Sequence, residues 1–199
     1  MQTIWKFVLT GGPGGGKTTG IPILKQFLEE KGFKVFIVPE AATIVNSQME
    51  LKSKDIPLYH FQVALIETEL YLENIAFKFA SQIEQDVILL LDRAILDTKA
   101  YMSDKNFTKI LNEKGLTETE VLNRYDAIFH MVTAANGAEE FYCPSGIRTE
   151  TPEAARELDD KILKVWQVHP NLYVLDNSTN FNEKINRLIL KINEIIESK

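Results

Sequence analysis

The sequence predicts a three-layer α/β domain, with five strands in a mostly parallel sheet and helices on both faces. Three observations carry this. Apolar runs of strand length alternate along the chain with longer stretches of helical spacing. One of the runs, Val87–Asp92 (VILLLD), is continuously apolar, as in a strand buried on both faces. Residues 11–19 (GGPGGGKTT) lie between the first run and the first helical stretch, and Gly11, Gly16, Lys17 and Thr18 there complete the GxxxxGK[ST] spacing.

In chain order, Ile4–Thr10 is a strand rich in β formers, and the stretch 21–31 places Ile21, Leu24, Phe27 and Leu28 at helical spacing. Gly32 suits a C-cap, and Lys34–Val38 (KVFIV) reads as the second strand, ended by Pro39 and Glu40. A long helix is expected over 58–83, with Leu58, Phe61, Leu65, Leu72, Ile75, Phe79 and Ile83 as its apolar stripe. After the Val87–Asp92 strand, short helices are expected over 94–103 and 117–124, the second opened by a capping box of Thr117 with Glu120. The fourth strand is 127–133. Residues 134–150 hold Asn136-Gly137 and Pro144-Ser145-Gly146 without a sustained period, which predicts a surface loop. Thr151 as N-cap and Pro152 at the first helical position open the next helix, buried on Ala155, Leu158, Ile162, Val165 and Trp166. The fifth strand is 172–176, and a last helix from Asn180 buries Phe181, Ile185, Leu188, Ile192 and Ile196. The whole chain, 1–199, reads as a single P-loop nucleotide-binding domain with a lid over roughly 136–156.

Residues 11–19 specify an anion cradle. Several backbone N–H groups must converge on a polyphosphate, and residues without a Cβ let the chain curl that closely, hence Gly12, Gly14, Gly15 and Gly16. Lys17 is expected to reach the β and γ phosphates, Thr18 to ligate Mg²⁺ and Thr19 to continue the binding face, with the helix N-terminus adding its positive dipole end. In a parallel sheet ligands sit at the carboxyl ends of strands, so this loop, Glu40, Asp92 and Asp176 are expected along one edge.

At 199 residues the chain suits one well-buried domain, and a formal net charge of −6 argues against clamping nucleic acid through bulk charge. The single cysteine, Cys143, and three scattered histidines exclude a disulfide framework and a zinc spacing. No apolar run approaches membrane-spanning length and no secretory signal is present, so a reducing cytoplasm is the expected compartment.

Further candidates surround the loop. Asp92, at a strand end, is placed to steady Mg²⁺, and Arg93 beside it to neutralise developing charge or to fix the acceptor; the alternative is a strand-end ion pair. Glu40 can orient an acceptor hydroxyl and take its proton, or simply start a helix. Arg148 in the lid and Arg156 in the helix after it can close over the transferred phosphate, or stand solvated among Glu150, Glu153 and Glu157. Gln62, beside Phe61 and Tyr59, can read a base edge, or lie on the surface while the aromatics form core. Asn177 and Ser178 suit contacts to the purine of the donor, as well as a plain turn. His130 is expected to be a satisfied core histidine, and His169 has no evident partner.

The pieces GGPGGGKTT, VPEAA, LLLDRAILDTKAY, RYDAIFHMVTAANGAEEFY, RTETPEAARELD and HPNLYVLDNST resemble the P-loop domain family shared by the ribosylnicotinamide kinase part of the bacterial NAD-biosynthesis regulator and the TRPL translocation defect protein. More distantly, Glu40, the Phe61-Gln62 pair and the Asp92-Arg93 pair resemble deoxynucleoside and thymidylate kinases. The resemblance implies a nucleoside-kinase-like P-loop NTPase fold, binding of Mg²⁺ with ATP or GTP, and phosphorylation of a nucleoside-like small-molecule acceptor. It also implies an alternative, because the TRPL translocation defect protein binds GTP and phosphatidic acid: a regulatory module that binds nucleotide and a protein or phospholipid partner. A Ras-type GTPase is disfavoured, since neither a DxxG switch after the third strand nor NKxD is present.

Overall fold

In the computed structural model residues 2–49, 56–142 and 151–198 are described. Strands β1 (Ile4–Thr10), β2 (Lys34–Val38), β3 (Val87–Asp92), β4 (Ala127–Met131) and β5 (Leu172–Leu175) form one sheet in the order β2-β3-β1-β4-β5. Every pair is parallel, so the expected mostly parallel sheet is a wholly parallel one. The strands read as apolar runs because both faces are covered. Phe7 and Leu9 of β1, Ile88 and Leu90 of β3, and Phe129 and Met131 of β4 pack under α1 (Lys17–Glu30) and α7 (Phe181–Glu197). Val8, Leu89, Leu91 and Ile128, the alternate residues, face the opposite layer.

That opposite layer holds α3 (Leu58–Ala80), α4 (Asp104–Glu113), α5 (Glu118–Leu122) and α6 (Pro152–Trp166), preceded along the chain by α2 (Ala41–Thr43). The two helix starts read from capping chemistry stand as expected. The Thr117 hydroxyl accepts from Glu120 N–H at 3.2 Å, and the Thr151 hydroxyl from Ala154 N–H at 3.3 Å.

Three expectations are corrected. Residues 94–103 do not form an α-helix: Ile95–Tyr101 is a 3-10 segment, and α4 follows it. The Ser103 hydroxyl caps α4, and Phe107, Ile110 and Leu111 are its buried face. Second, the stretch after Glu40, for which no element bounds were expected, is filled by α2 and the π turn Ile44–Gln48, so Glu40 does start a helix, one of its two expected roles. Third, α3 ends at Ala80 and its inward face matches the expected stripe only in part. Phe61 and Leu65 of that stripe are buried as expected and Leu58 and Phe79 are exposed, while Gln62, Ile66, Glu69 and Glu73 are buried beside them. Strands β4 and β5 also end earlier than expected, at Met131 and Leu175. Among the described residues, no helix is long and apolar enough to cross a membrane.

Candidate functional site

β1 delivers the chain to the loop at residues 11–16, and α1 begins at Lys17 with Gly16 as a left-handed N-cap, φ 89. Two glycines there are forced, Gly16 by its left-handed conformation as well as by contact and Gly15 by contact alone. A Cβ on Gly16 would meet the Phe181 ring at 2.6 Å, and one on Gly15 would run into the Met131 carbonyl oxygen.

The loop carbonyls are held from outside. Pro13 C=O accepts from the Thr133 hydroxyl, Gly14 C=O from Ala134 N–H at 3.2 Å, Gly15 C=O from Lys184 Nζ at 3.5 Å and Gly16 C=O from Gly20 N–H at 2.8 Å. In a trans peptide the carbonyl and the following N–H point opposite ways, so the N–H groups of Gly14, Gly15, Gly16 and Lys17 are turned away from these donors. Successive N–H groups on one side of a loop, at the start of a helix, make an anion nest. The Lys17 side chain is only 3% exposed, and its Nζ donates to Gly11 C=O at 2.8 Å and Gly12 C=O at 3.0 Å. Gly14, Thr18 and Thr19 are exposed at the mouth of the loop.

The β2 and β3 ends stand beside it. Asp92 is paired in register with Leu9, one residue before Thr10, and Arg93 N–H donates to Leu9 C=O at 2.9 Å. Arg93 takes φ 72, the one non-glycine residue with positive φ among the described residues. Its side chain is 11% exposed; Nε donates to Glu40 Oε1 at 2.7 Å, and Nη1 lies 3.4 Å from Asp97 Oδ1. Burial works against the Arg93 charge, but Tyr101, Glu40, Asp97 and Asp92 outweigh it, and its pKa is raised. Glu40 also accepts from the Thr43 hydroxyl at 2.6 Å. Glu40, Asp92 and Arg93, distant in sequence, are therefore brought to one edge of the sheet with the loop.

Two carboxylates that sequence reasoning missed tie this edge together. Asp97 accepts from the Thr10 hydroxyl and from Ala94 N–H at 2.9 Å, and so links Arg93 to the stem of the loop. Asp159 of α6 accepts from Gly12 N–H and, at 3.3 Å, from Thr133 N–H. Its pKa is lowered: burial opposes the shift, but His130 and the two N–H groups prevail. The signal for Asp159 was its register, four residues after Ala155 and three before Ile162 on the buried face. His130 is buried as expected, yet its Nε2 stands 3.2 Å from Asp159 Oδ1 without the alignment of a hydrogen bond. His169 does have partners: its Nε2 is 3.1 Å from Tyr125 C=O, and its Nδ1 accepts from Asn171 N–H.

On the other flank, Arg156 Nη1 donates to Ala135 C=O at 2.6 Å and Nη2 to Glu153 at 3.0 Å. Asn177 Nδ2 donates to Thr133 C=O at 2.8 Å and Asn136 C=O at 2.7 Å, while its Oδ1 accepts from Lys184 Nζ at 2.8 Å. The Ser178 hydroxyl bonds Asp176 at 2.6 Å. Burial, the largest influence on Lys184, brings its pKa down to about 8. Arg156 and Asn177 thus hold the stretch after β4, on the β5 side of the loop, while Ser178 is bound to Asp176 just after β5. Arg148 and Cys143 lie outside the described residues. Gln62, expected to read an acceptor or to lie on the surface, is buried on α3 beside Phe61. Among the described residues no cluster of three or more His, Cys, Asp or Glu could hold a metal, so a cation here would rest on mixed donors: the Thr18 hydroxyl, the Asp92 carboxylate and phosphate oxygens, a hard-oxygen set that suits Mg²⁺.

No curated protein matches the chain. A family model described as an AAA domain matches residues 6–184, which include the loop, Glu40, Asp92, Arg93, Asp97, Asp159 and Asn177, and the chain belongs to that P-loop NTPase-type family.

Proposed function

We propose that the protein is a small-molecule kinase that transfers the γ-phosphoryl group of a purine nucleoside triphosphate to a hydroxyl of a nucleoside-like acceptor. The single observation that carries this is the Arg93 guanidinium, gripped by Glu40 and Asp97 between the ends of β2 and β3 beside the loop. A module that only binds nucleotide needs no fixed cation and carboxylate on that flank. A kinase needs both, one to meet the charge of the transferring group and one to hold the acceptor.

In this reading the triphosphate lies in the nest of N–H groups, and Lys17 exchanges the carbonyls of Gly11 and Gly12 for phosphate oxygens. Thr18 and Asp92 would hold Mg²⁺, which would supply charge neutralisation to the phosphates. The acceptor oxygen bonds the γ-phosphorus, the bond from phosphorus to the bridging oxygen breaks, and the hydroxyl proton passes to Glu40. A loose phosphoryl-transfer transition state asks mainly for orientation of the acceptor, which Glu40, held by Arg93, supplies. Arg148 or Arg156 from the lid closes on the transferred group. Asn177 and Ser178 border the purine.

The test is incubation of the protein with labelled ATP or GTP and a panel of nucleosides and other alcohols, with Glu40→Gln as control. Label transfer that Glu40→Gln abolishes supports the kinase. Tight nucleotide binding without acceptor-dependent transfer across the panel overturns it in favour of a regulatory module that presents a surface to a protein or phospholipid.

A further inference from the structure

The first turn of α7 backs the phosphate loop: a Cβ on Gly16 would meet the Phe181 ring, and one on Gly20 would meet the Ile185 side chain at 2.9 Å. Lys184 stands in that turn and is 2% exposed. Its ammonium is held there at a cost. Burial strips its water, and the positive dipole end of the helix repels a cation. Among the described residues its hydrogen bonds all go to neutral amide oxygens, Val132 C=O and Asn177 Oδ1 at 2.8 Å each and Gly15 C=O at 3.5 Å. Buried charges are ordinarily paired, so an ammonium held by amides alone, directly behind an anion cradle, lacks a counter-charge.

We propose that Lys184 is a positioning residue of the nucleotide site, and that the polyphosphate on the far side of the Gly15–Gly16 peptide is the counter-charge its buried ammonium lacks. The inference rests on the loop as a nucleotide site and not on phosphoryl transfer. Gly15 C=O shares its peptide with Gly16 N–H, which is turned toward the cradle, so a cation on the carbonyl strengthens the donor that meets the phosphate. Val132 C=O shares its peptide with Thr133 N–H, which donates to Asp159, the carboxylate that holds Gly12 N–H. The Asn177 amide passes on to Thr133 C=O and Asn136 C=O. One ammonium thus ties the loop, the stretch after β4 and the end of β5 together.

The charged groups around Lys184 leave its proton sensitive to an added anion. Burial is the largest influence and brings its pKa down to about 8; Asp159 on α6 favours the charge, Arg187 on its own helix opposes it, and Asp176 after β5 favours it again. Asp159 is already engaged by two N–H groups beside His130, and Asp176 by Arg187 at 2.8 Å. The other cation of the loop, Lys17, is held by the carbonyls of Gly11 and Gly12. A polyphosphate in the cradle favours the charged lysine and raises its pKa. Between the free and the bound value the complex holds a proton that the free protein has shed, so affinity is full below the free value and declines as pH rises through it.

The test is calorimetry on the full chain with Mg²⁺ and slowly hydrolysed ATP and GTP analogues, in pairs of buffers of different ionisation enthalpy, so that protons taken up on binding are counted. At pH 8, where the phosphates have shed their own protons, about half a proton should be taken up by the wild type. Affinity should fall about five- to tenfold between pH 7 and pH 9. Lys184→Met should take up none and bind about tenfold more weakly at pH 7, with the pH dependence gone; Lys184→Arg, which keeps the charge and cannot shed it, should take up none and keep its affinity to within about threefold at both ends. Should Lys184→Met fail to fold, the wild-type proton count and the Arg variant still decide. Binding without proton uptake, or uptake that persists in either variant, overturns this inference alone. Uptake as expected without transfer to any acceptor sinks the kinase reading alone, and no binding of either analogue at any pH overturns both.

Discussion

Replacing Arg93 separates backbone strain from charge. An L-residue in the left-handed region costs about 1–2 kcal/mol, and Arg93 at φ 72 bears that cost while glycine would not. The guanidinium compensates by pairing with Glu40 and Asp97, whose side chains are 14% and 4% exposed. Removing one partner from a buried pair costs about 3–5 kcal/mol. Arg93→Ala loses the pair and keeps the strain, so its expected deficit is that full range. Arg93→Gly loses the pair but relieves the strain, less about 0.4–1 kcal/mol for the greater freedom of glycine in the unfolded chain. The glycine variant should therefore be the more stable of the two by roughly 0.5–1 kcal/mol, the reverse of the order inside a helix or strand. With a slope of about 2 kcal/mol per molar urea, that is a midpoint difference of roughly 0.25–0.5 M, and Arg93→Ala should fall about 1.5–2.5 M below wild type. An alanine midpoint at or above the glycine midpoint would refute the strain. A wild-type midpoint in Arg93→Ala would refute the pairing, and with it the assignment of Arg93 as a fixed cation.

Lys17→Ala removes a charge-assisted contact of about 1.5–3 kcal/mol to phosphate, so calorimetry with a slowly hydrolysed ATP or GTP analogue should show affinity weaker by roughly 10–150-fold; unchanged affinity would count against the loop as the nucleotide site. Gly15→Ala drives a methyl into the Met131 carbonyl. It should cost about 1–3 kcal/mol and weaken nucleotide binding, and a wild-type melt with wild-type affinity would contradict the close approach. Glu69 gives a pH signature. Its folded pKa is raised above the ordinary 4.5, so between those two values the folded state holds a proton that the unfolded chain has shed. Stability from this group is full below 4.5 and declines as pH rises through the folded value. Urea midpoints of wild type minus Glu69→Gln, taken across that range, should fall with rising pH, and a flat difference would show Glu69 ionised and solvated.

The sheet and the loop were legible in the sequence because their signals are local. An apolar run such as VILLLD has one reading when bounded by turns, and a glycine series ending in Lys-Thr ahead of a helix has few others. The α3 face was misread because interior position was equated with apolar character. Gln62, Glu69 and Glu73 share the buried face with Phe61 and Leu65, so the apolar count left them out and took in the exposed Leu58 and Phe79 instead. Asp97 and Asp159 were hidden differently. Each reads as a solvated acid beside Arg93 or among Glu157 and Asp160, and only contacts across the fold, to Thr10 and to Gly12 N–H, give them a role. The α4 start was missed although Ser103 with Phe107, Ile110 and Leu111 spelled it, because the expected preceding helix had already claimed Ser103.

Those two carboxylates also explain how an anion site tolerates acids at its edge. Asp97 grips Thr10 and Asp159 grips Gly12, so both act on the stem of the loop, ahead of the N–H groups of Gly14 to Lys17 that face away from the carbonyl clamps. Each acid is neutralised locally, Asp97 by Arg93 and by donated hydrogen bonds, Asp159 by two N–H groups beside His130. The stem is thereby fixed from two directions, by the segment that carries Arg93 on one side and by α6 on the other. Because Asp159 sits on α6, which begins at Pro152, a displacement of that helix would pull on Gly12 through one buried carboxylate. The loop and α6 are thus joined at Asp159, and Arg93 is joined to the same stem at Asp97.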